Sequence, residues 1–357
     1  MKLLDGFDPD LPVARAHTPP ASWYLDPELA ALEDRAVFGR SWQLACRADE
    51  VAVPGAFVAG RSGSLPWVVV RDGDGRLRAH ANVCRHKATE VCAGRGVLPP
   101  DARHLTCPYH GWTYRLDGSL RTAPRLAGIE AFDRDAMGLP PLGVAVWGPL
   151  VLVHRDPSAP PPALGPLTAA LEATGWGSLV WCGRRTWEIA CNWKVFCDNY
   201  LDGGYHVPHL HPGLAGQLDL ESYRTALAEG YSVQSCGASA DRTEGGALYA
   251  FVYPNLMLNR YGPCLDTNLV LPLSPGRARV VFDFWFTAER AADTAWVGAS
   301  IADSARTQQE DVDVSERVQV GLASGTWRTG RYAPQLEGAI HHFHRMLAAD
   351  LRRARPG

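Results

Sequence analysis

Cys84-Arg85-His86 and Cys107-Pro108-Tyr109-His110-Gly111-Trp112 are the two halves of the stretch on which the reading of the fold turns. Each half places one soft thiol and one imidazole within a short turn, in the pattern C-x-H … C-x-x-H. A Cys₂His₂ set binds zinc well. Zinc fingers, however, keep the two cysteines together and then the two histidines, whereas here the types are interleaved. Interleaving suits a [2Fe–2S] cluster with one iron on two thiolates and the other on two imidazoles, an exchange that raises the reduction potential. Cys92 falls between the halves without a histidine at matching spacing, and reads as a packed thiol.

Working outward, the flanks have β texture. Trp67-Val68-Val69-Val70 before Asp72-Gly73-Asp74-Gly75 reads as a strand entering a hairpin, and Tyr114-Arg115 before Asp117-Gly118 reads likewise. Upstream, Leu29, Leu32, Ala36 and Val37 give residues 20–40 one apolar helical face. Downstream, the proline-rich run Asp156 to Pro162 is the best domain boundary. Beyond it, Tyr249, Phe251 and Tyr253 alternate on one strand and Phe282, Phe284 and Phe286 on another, while Leu336, Ile340, Phe343, Leu347 and Leu351 mark an amphipathic C-terminal helix. The expected organisation is α+β: an N-terminal arm over 1–40, an all-β domain over 41–157 and a larger domain over 158–357.

Composition narrows the function. The chain of 357 residues is 46% hydrophobic and 20% charged, ordinary for a folded core, and its net charge of −3 creates no field for nucleic acid or an anionic membrane. No apolar run reaches membrane-helix length, and the start lacks a signal-peptide core. Nine cysteines, an odd number in a chain this long, argue against a disulfide framework and point to a reducing cytoplasm.

A second constellation lies between Asn192 and Pro212, where Asp198, Asp202, His206, His209 and His211 crowd together. Asp198, Asp202 and His206 are spaced to share one helical face. His206 and His211 lie about 140° apart on a regular helix, so Pro208 is expected to break the ladder and let both reach one ion. Two histidines and one carboxylate on one face of an iron leave positions open for O₂ and substrate. Within Gln308-Gln309-Glu310-Asp311-Val312-Asp313, Asp311 shares its face with Val318 and Leu322 and is expected to point inward, whereas Asp313 falls with Arg306 and Arg317.

With these motifs in this order, the sequence resembles the catalytic α subunits of the Rieske non-haem iron oxygenases. Asp198 to Pro208, Gln309-Glu310-Asp311-Val312, Gly330-Arg331-Tyr332 and Ile340-His341-His342-Phe343-His344 are most similar to the choline monooxygenase branch. The resemblance implies a Rieske [2Fe–2S] β domain on Cys84, His86, Cys107 and His110, followed by a helix-grip (Bet v 1/START-like) catalytic domain. It implies mononuclear Fe(II) on His206, His211 and Asp311, with Asn199 as an amide near the metal. Asp202 matches the acid that joins an iron-ligand histidine to the cluster of a neighbouring subunit in a head-to-tail homotrimer.

The same resemblance implies hydroxylation or demethylation of a small molecule with O₂ as co-substrate, a choline-like methylated amine being the best guess. The aromatic positions Tyr249, Phe251 and Tyr253, with His209 beside the metal motif, are the expected pocket. His341, His342 and His344 are expected on the exposed side of the C-terminal helix, without a role. No G-x-G-x-x-G turn follows a predicted strand, so NAD(P)H acts only through a separate flavin/iron–sulfur reductase or ferredoxin. An aromatic-ring or natural-product hydroxylase shares the same metal sites. A Rieske electron carrier, the alternative from another class, needs only the first domain.

Overall fold

Trp67-Val68-Val69-Val70 is apolar without alternation because its strand is covered on both faces. The structure, a computed structural model, describes residues 4–101, 103–216, 218–238 and 246–354. Chain contacts divide it into two units, Phe38–Pro162 and a second that joins the segment through Val37 to everything from Ala163 onward. In the first unit, Val69 packs with Cys46, Val58 and Val151, while Val68 and Val70 meet Cys84, Cys107, Trp112 and Tyr114. Their strand belongs to a seven-stranded antiparallel sheet ordered Gln43–Arg47, Leu150–His154, Pro141–Trp147, Leu77–Ala81, Leu65–Arg71, Ala56–Ser62 and Arg95–Val97. A three-stranded sheet, Leu105–Thr106, Thr113–Tyr114 and Leu120–Thr122, carries the second Cys/His pair in its first hairpin.

The second unit is built on another seven-stranded antiparallel sheet. Its strands run Val180–Ile189, Arg277–Phe286, Cys264–Ser274, Leu256–Tyr261, Ala247–Val252, Tyr231–Ala238 and Leu218–Ala228. Three helices complete the helix grip: Trp193–Tyr200, Thr294–Ala323 and Gly338–Arg353. Phe343 is fully buried between Trp193 and Phe251, with ring centroids 5.8 and 5.3 Å away. The N-terminal segment is tied in by Glu33, which accepts from Trp193 Nε1 at 2.9 Å and from Lys194 Nζ at 2.6 Å. Residues 20–40 are not one helix: Asp26 caps Pro27–Glu33 after the shorter Ser22–Leu25, and a wider turn, Asp34–Phe38, follows. Among the described residues no helix is long and apolar enough to cross a membrane.

Several expectations are corrected here. His341 and His344 are buried, not exposed, because the inward stripe of the C-terminal helix is wide enough to take them along with Ile340, Phe343 and Leu347. His344 sits between Tyr332 Oη at 2.8 Å and the Asp198 carboxylate at 3.0 Å, which draws Asp198 away from the histidine segment. Tyr253 lies past the end of its strand and donates to Asp350 at 2.7 Å. Val318 is 45% exposed although Leu322 is buried, since the buried stripe of the long helix runs through Gln308, Val312 and Ser315.

Burial, aided by Arg345 and the neighbouring histidines, pushes the His341 imidazole down to about 4. An unfolded histidine titrates near 6.5, so as pH falls the unfolded chain takes up this proton first. The associated stability is present above pH ~6.5 and is lost progressively down to about 4. Thermal melts of His341→Gln between pH 7 and 5 are expected to show a smaller fall in Tm than the parent; an equal fall would contradict the assignment.

Candidate metal centres

The two Cys/His loops are built alike. The Ala88 N–H donates to the Cys84 carbonyl at 3.0 Å, and the Gly111 N–H to the Cys107 carbonyl at 3.1 Å. Each cysteine N–H in turn donates five residues on, to Thr89 O and to Trp112 O, both at 2.8 Å. The turns close with a left-handed residue, Ala88 at φ 56° and Gly111 at φ 69°; glycine adopts this freely, and alanine only at a cost of about 1 kcal/mol. The thiols of Cys84 and Cys107 are buried, with Tyr114 Oη 3.2 Å from Cys84 Sγ. His86 and His110 stand toward solvent with their Nδ1 atoms 3.1 Å apart, and His86 stacks flat on Trp112 at 5.0 Å. Burial pushes the Cys107 thiol up, so thiolates there require a nearby positive charge, which a metal supplies. Two buried sulfurs below two outward imidazoles fit a Rieske cluster.

The second centre does not rest on a continuous helix. Trp193–Tyr200 is capped by Asn192, whose side chain accepts from the Lys194 N–H at 3.0 Å, and the helix ends before Asp202. Gly203 and Gly204 then take left-handed φ of 74° and 78°. A Cβ on Gly203 would lie 2.4 Å from the Leu336 carbonyl oxygen, so both space and conformation require glycine there. The break expected at Pro208 is made by these glycines; Pro208 sits in the first turn of the next short helix, Val207–Leu210. Asp202 turns back to hold the new segment. Its Oδ1 accepts from the Gly204 and Tyr205 N–H groups at 3.0 and 3.1 Å, and its Oδ2 accepts from the His206 N–H at 2.9 Å and faces His206 Nδ1 at 2.6 Å.

His211, buried, repeats the arrangement from the other side, with Nδ1 2.6 Å from the Glu310 carboxylate. Facing carboxylates, both Nδ1 atoms donate, which leaves each Nε2 as the nitrogen able to ligate a metal ion. Those Nε2 atoms point at Asp311 Oδ1, from His211 at 3.0 Å and from His206 at 3.8 Å. Asn199 Nδ2 donates to the same carboxylate oxygen at 2.7 Å. Three donor atoms within 4.8 Å of one another, two imidazole and one carboxylate, fit a facial Fe(II) triad. Burial works against a charged His211, but the Asp311 and Glu310 carboxylates on its two nitrogens outweigh it and raise its pKa.

Glu310, which holds His211 Nδ1, is the residue of this site that the sequence reading did not assign. The available signal was its place one step before Asp311 on the same helix. Glu310→Gln is expected to weaken iron binding by about 10–100-fold, measured by competition with a chelator; unchanged affinity would remove Glu310 from the site.

The triad opens onto a cavity of about 350 Å³. Its wall includes Phe196, Tyr200, Tyr223, Tyr249, Tyr261 and Phe282. Of the expected pocket residues, Tyr249 is on this wall, whereas Phe251 is buried behind it and Tyr253 is engaged with Asp350. Phe284 and Phe286 are likewise core. His209 is exposed and is not on the wall.

Comparison with known proteins identifies both domains. Residues 41–133 match the Rieske [2Fe-2S] domain, and residues 178–241 and 229–352 match the catalytic domain of ring-hydroxylating alpha subunits. The chain belongs to the Rieske non-haem iron oxygenases and is an oxygenase component that uses O₂ with electrons from a separate reductase or ferredoxin. Within the family it is 45% identical to the chloroplastic choline monooxygenase of Arabidopsis thaliana over 371 residues, covering 98% of this chain and 87% of that protein. It is 30% identical to the carnitine monooxygenase oxygenase subunit of Escherichia coli K12, covering 93% of each. The crystal structure of the quaternary ammonium Rieske monooxygenase CntA with L-carnitine matches it at a TM-score of 0.80 and 26% identity, over 96% of this chain and 97% of that one.

Proposed function

We propose that this oxygenase hydroxylates a choline-like methylated amine. The observation that carries the reading is the cavity, which brings six aromatic side chains to the His206, His211 and Asp311 donors. A trimethylammonium group donates no N–H hydrogen bond, so aromatic faces must recognise it, each worth about 0.5–2 kcal/mol. The overall reaction consumes one C–H bond, O₂, two electrons and two protons, and yields C–OH and water. At the alcohol carbon of choline it gives an aldehyde hydrate; at an N-methyl carbon it releases formaldehyde and the demethylated amine.

In this reading His206, His211 and Asp311 hold Fe(II), which supplies O₂ activation, and Cys84, Cys107, His86 and His110 hold the cluster, which supplies single electrons. The chain's own groups orient and exclude. Asp202 and Glu310 keep the Nδ1 protons in place so that each Nε2 faces the metal position, and Asn199 fixes the Asp311 carboxylate. The rings displace water around the substrate carbon. Assembly as a homotrimer is part of the proposal, with Asp202 linking His206 to an exposed cluster histidine of a neighbouring copy.

Oxygen uptake with a reductase tests the substrate. Choline or a related methylated amine is expected to stimulate uptake coupled to aldehyde or demethylated product. Tyr249→Ala should raise KM at least about fivefold, the equivalent of one lost cation–π contact, without lowering iron content. Tight coupling to a neutral aromatic compound, and none to any methylated amine, would overturn the substrate and leave the oxygenase intact.

A further inference from the structure

The cavity wall contains a buried polar patch. Asp266 and Asn268 stand mid-strand in Cys264–Ser274, both 2% exposed, opposite Asn259 and Met257 of the adjoining strand. Asn259 Nδ2 donates to Asp266 Oδ1 at 2.7 Å and to Asn268 Oδ1 at 3.0 Å, and Asn268 Nδ2 donates to Asp266 Oδ1 at 2.8 Å. The Tyr261 hydroxyl donates to Asp266 Oδ2 at 3.2 Å, and Tyr200 Oη donates to Asn259 Oδ1 at 2.8 Å. These hydrogen bonds to the carboxyl group come from uncharged side chains. Tyr200, Asn259, Tyr261, Asp266 and Asn268 all lie on the wall of the cavity that holds the His206, His211 and Asp311 donors. Burying a carboxyl group in a sheet is costly where valine or leucine would serve packing, so a functional reason for Asp266 is called for.

We infer that Asp266 is the counter-charge for the substrate's ammonium group, and that the cavity therefore selects a monocation with an uncharged remainder over a zwitterion. The inference rests on the methylated-amine reading above and narrows its substrate class. A quaternary ammonium donates no hydrogen bond, so it displaces none of the partners of Asp266; it only needs to lie close, with Tyr261 and Phe282 on the same wall. A substrate carboxylate meets the opposite situation. Glu310 and Asp311 are committed to His211, and Asp303 to Arg306. Arg306, the arginine on this wall, has a side chain 72% exposed and offers a carboxylate no buried partner.

Titration calorimetry on the anaerobic, iron-loaded protein tests this with three ligands: choline, its neutral carbon analogue with tert-butyl in place of trimethylammonium, and glycine betaine. The wild-type protein is expected to bind choline about tenfold or more tightly than either of the others, a difference of about 1.4 kcal/mol. Asp266→Asn should lower the choline-to-neutral-analogue affinity ratio by at least about threefold, leaving the preference that the aromatic faces supply, with cluster absorption and iron content unchanged. Equal wild-type affinity for choline and the neutral analogue would overturn the inference even if the variant did not fold. So would an Asp266→Asn protein that keeps the full ratio, or betaine binding as tight as choline. If choline binds and is oxidised while these ratios vanish, only the inference falls. If no methylated amine binds or is consumed, the substrate reading falls with it.

Discussion

In a His211→Ala protein, turnover drops to background, about one of some three irons per chain is lost, and the visible spectrum of the cluster is unchanged. The expectation follows from where the imidazole sits. His211 is 2% exposed, one nitrogen is fixed by Glu310, and the other lies 3.0 Å from Asp311. Alanine removes one of three donors and leaves Glu310 and Asp311 facing an apolar methyl group, so the remaining imidazole and carboxylate bind iron weakly. The cluster loops share no ligand with this site, which is why iron analysis and absorption should separate. Cys84→Ser is the complementary experiment: it should bleach the cluster. Loss of both signals together in His211→Ala would mean that the protein had unfolded. Retention of three irons would remove His211 from the ligand set.

An Asp202→Asn protein should lose turnover by at least about 100-fold and bind the mononuclear iron about 10–100-fold more weakly. Sequence alone presents this as a change of charge at constant shape. The structure shows a more demanding position, because both carboxylate oxygens accept hydrogen bonds: Oδ1 from two backbone N–H groups, Oδ2 from the His206 N–H and its Nδ1 side. Whichever way an asparagine amide turns, its NH₂ confronts donors. If it faces His206, Nδ1 must give up its proton, the proton moves to Nε2, and the nitrogen aimed at the metal position can no longer ligate. Chelator competition and single-turnover rates would measure the two effects. Full activity in Asp202→Asn would contradict both the positioning role and the proposed electron handover.

The candidate cluster ligands were legible because a metal restricts residue type and spacing together: Cys84, His86, Cys107 and His110 admit few other readings. Asp311 was legible as the more inward acid, two residues before exposed Asp313, although Val318, expected on its face, is itself exposed. The segment between them and the substrate was harder. Asp198, Asp202 and His206 have helical spacing, yet the helix stops at Tyr200, left-handed Gly203 and Gly204 keep it from resuming, and Leu336 packed against Gly203 is visible only in three dimensions. Alternation put Tyr249, Phe251 and Tyr253 on one face but carries no information on depth along it; Tyr249 reaches the cavity while Phe251 meets Phe343. Polarity alone points His341 and His344 outward, whereas both are buried and Tyr332 and Asp198 supply His344 with partners inside the core. Asp266 gave no signal in sequence, since a single acid in an apolar strand looks like an outward residue until the sheet is assembled.

The most direct test is a crystal structure of the iron-loaded protein with choline, phased by anomalous scattering on either side of the iron edge. Three iron peaks per chain are expected, two between Cys84, Cys107, His86 and His110 and one on His206 Nε2, His211 Nε2 and Asp311. Choline should lie in the cavity with its ammonium toward Asp266. A single peak that scatters as zinc at the cysteines, or no iron at the His206, His211 and Asp311 donors, would contradict this assignment.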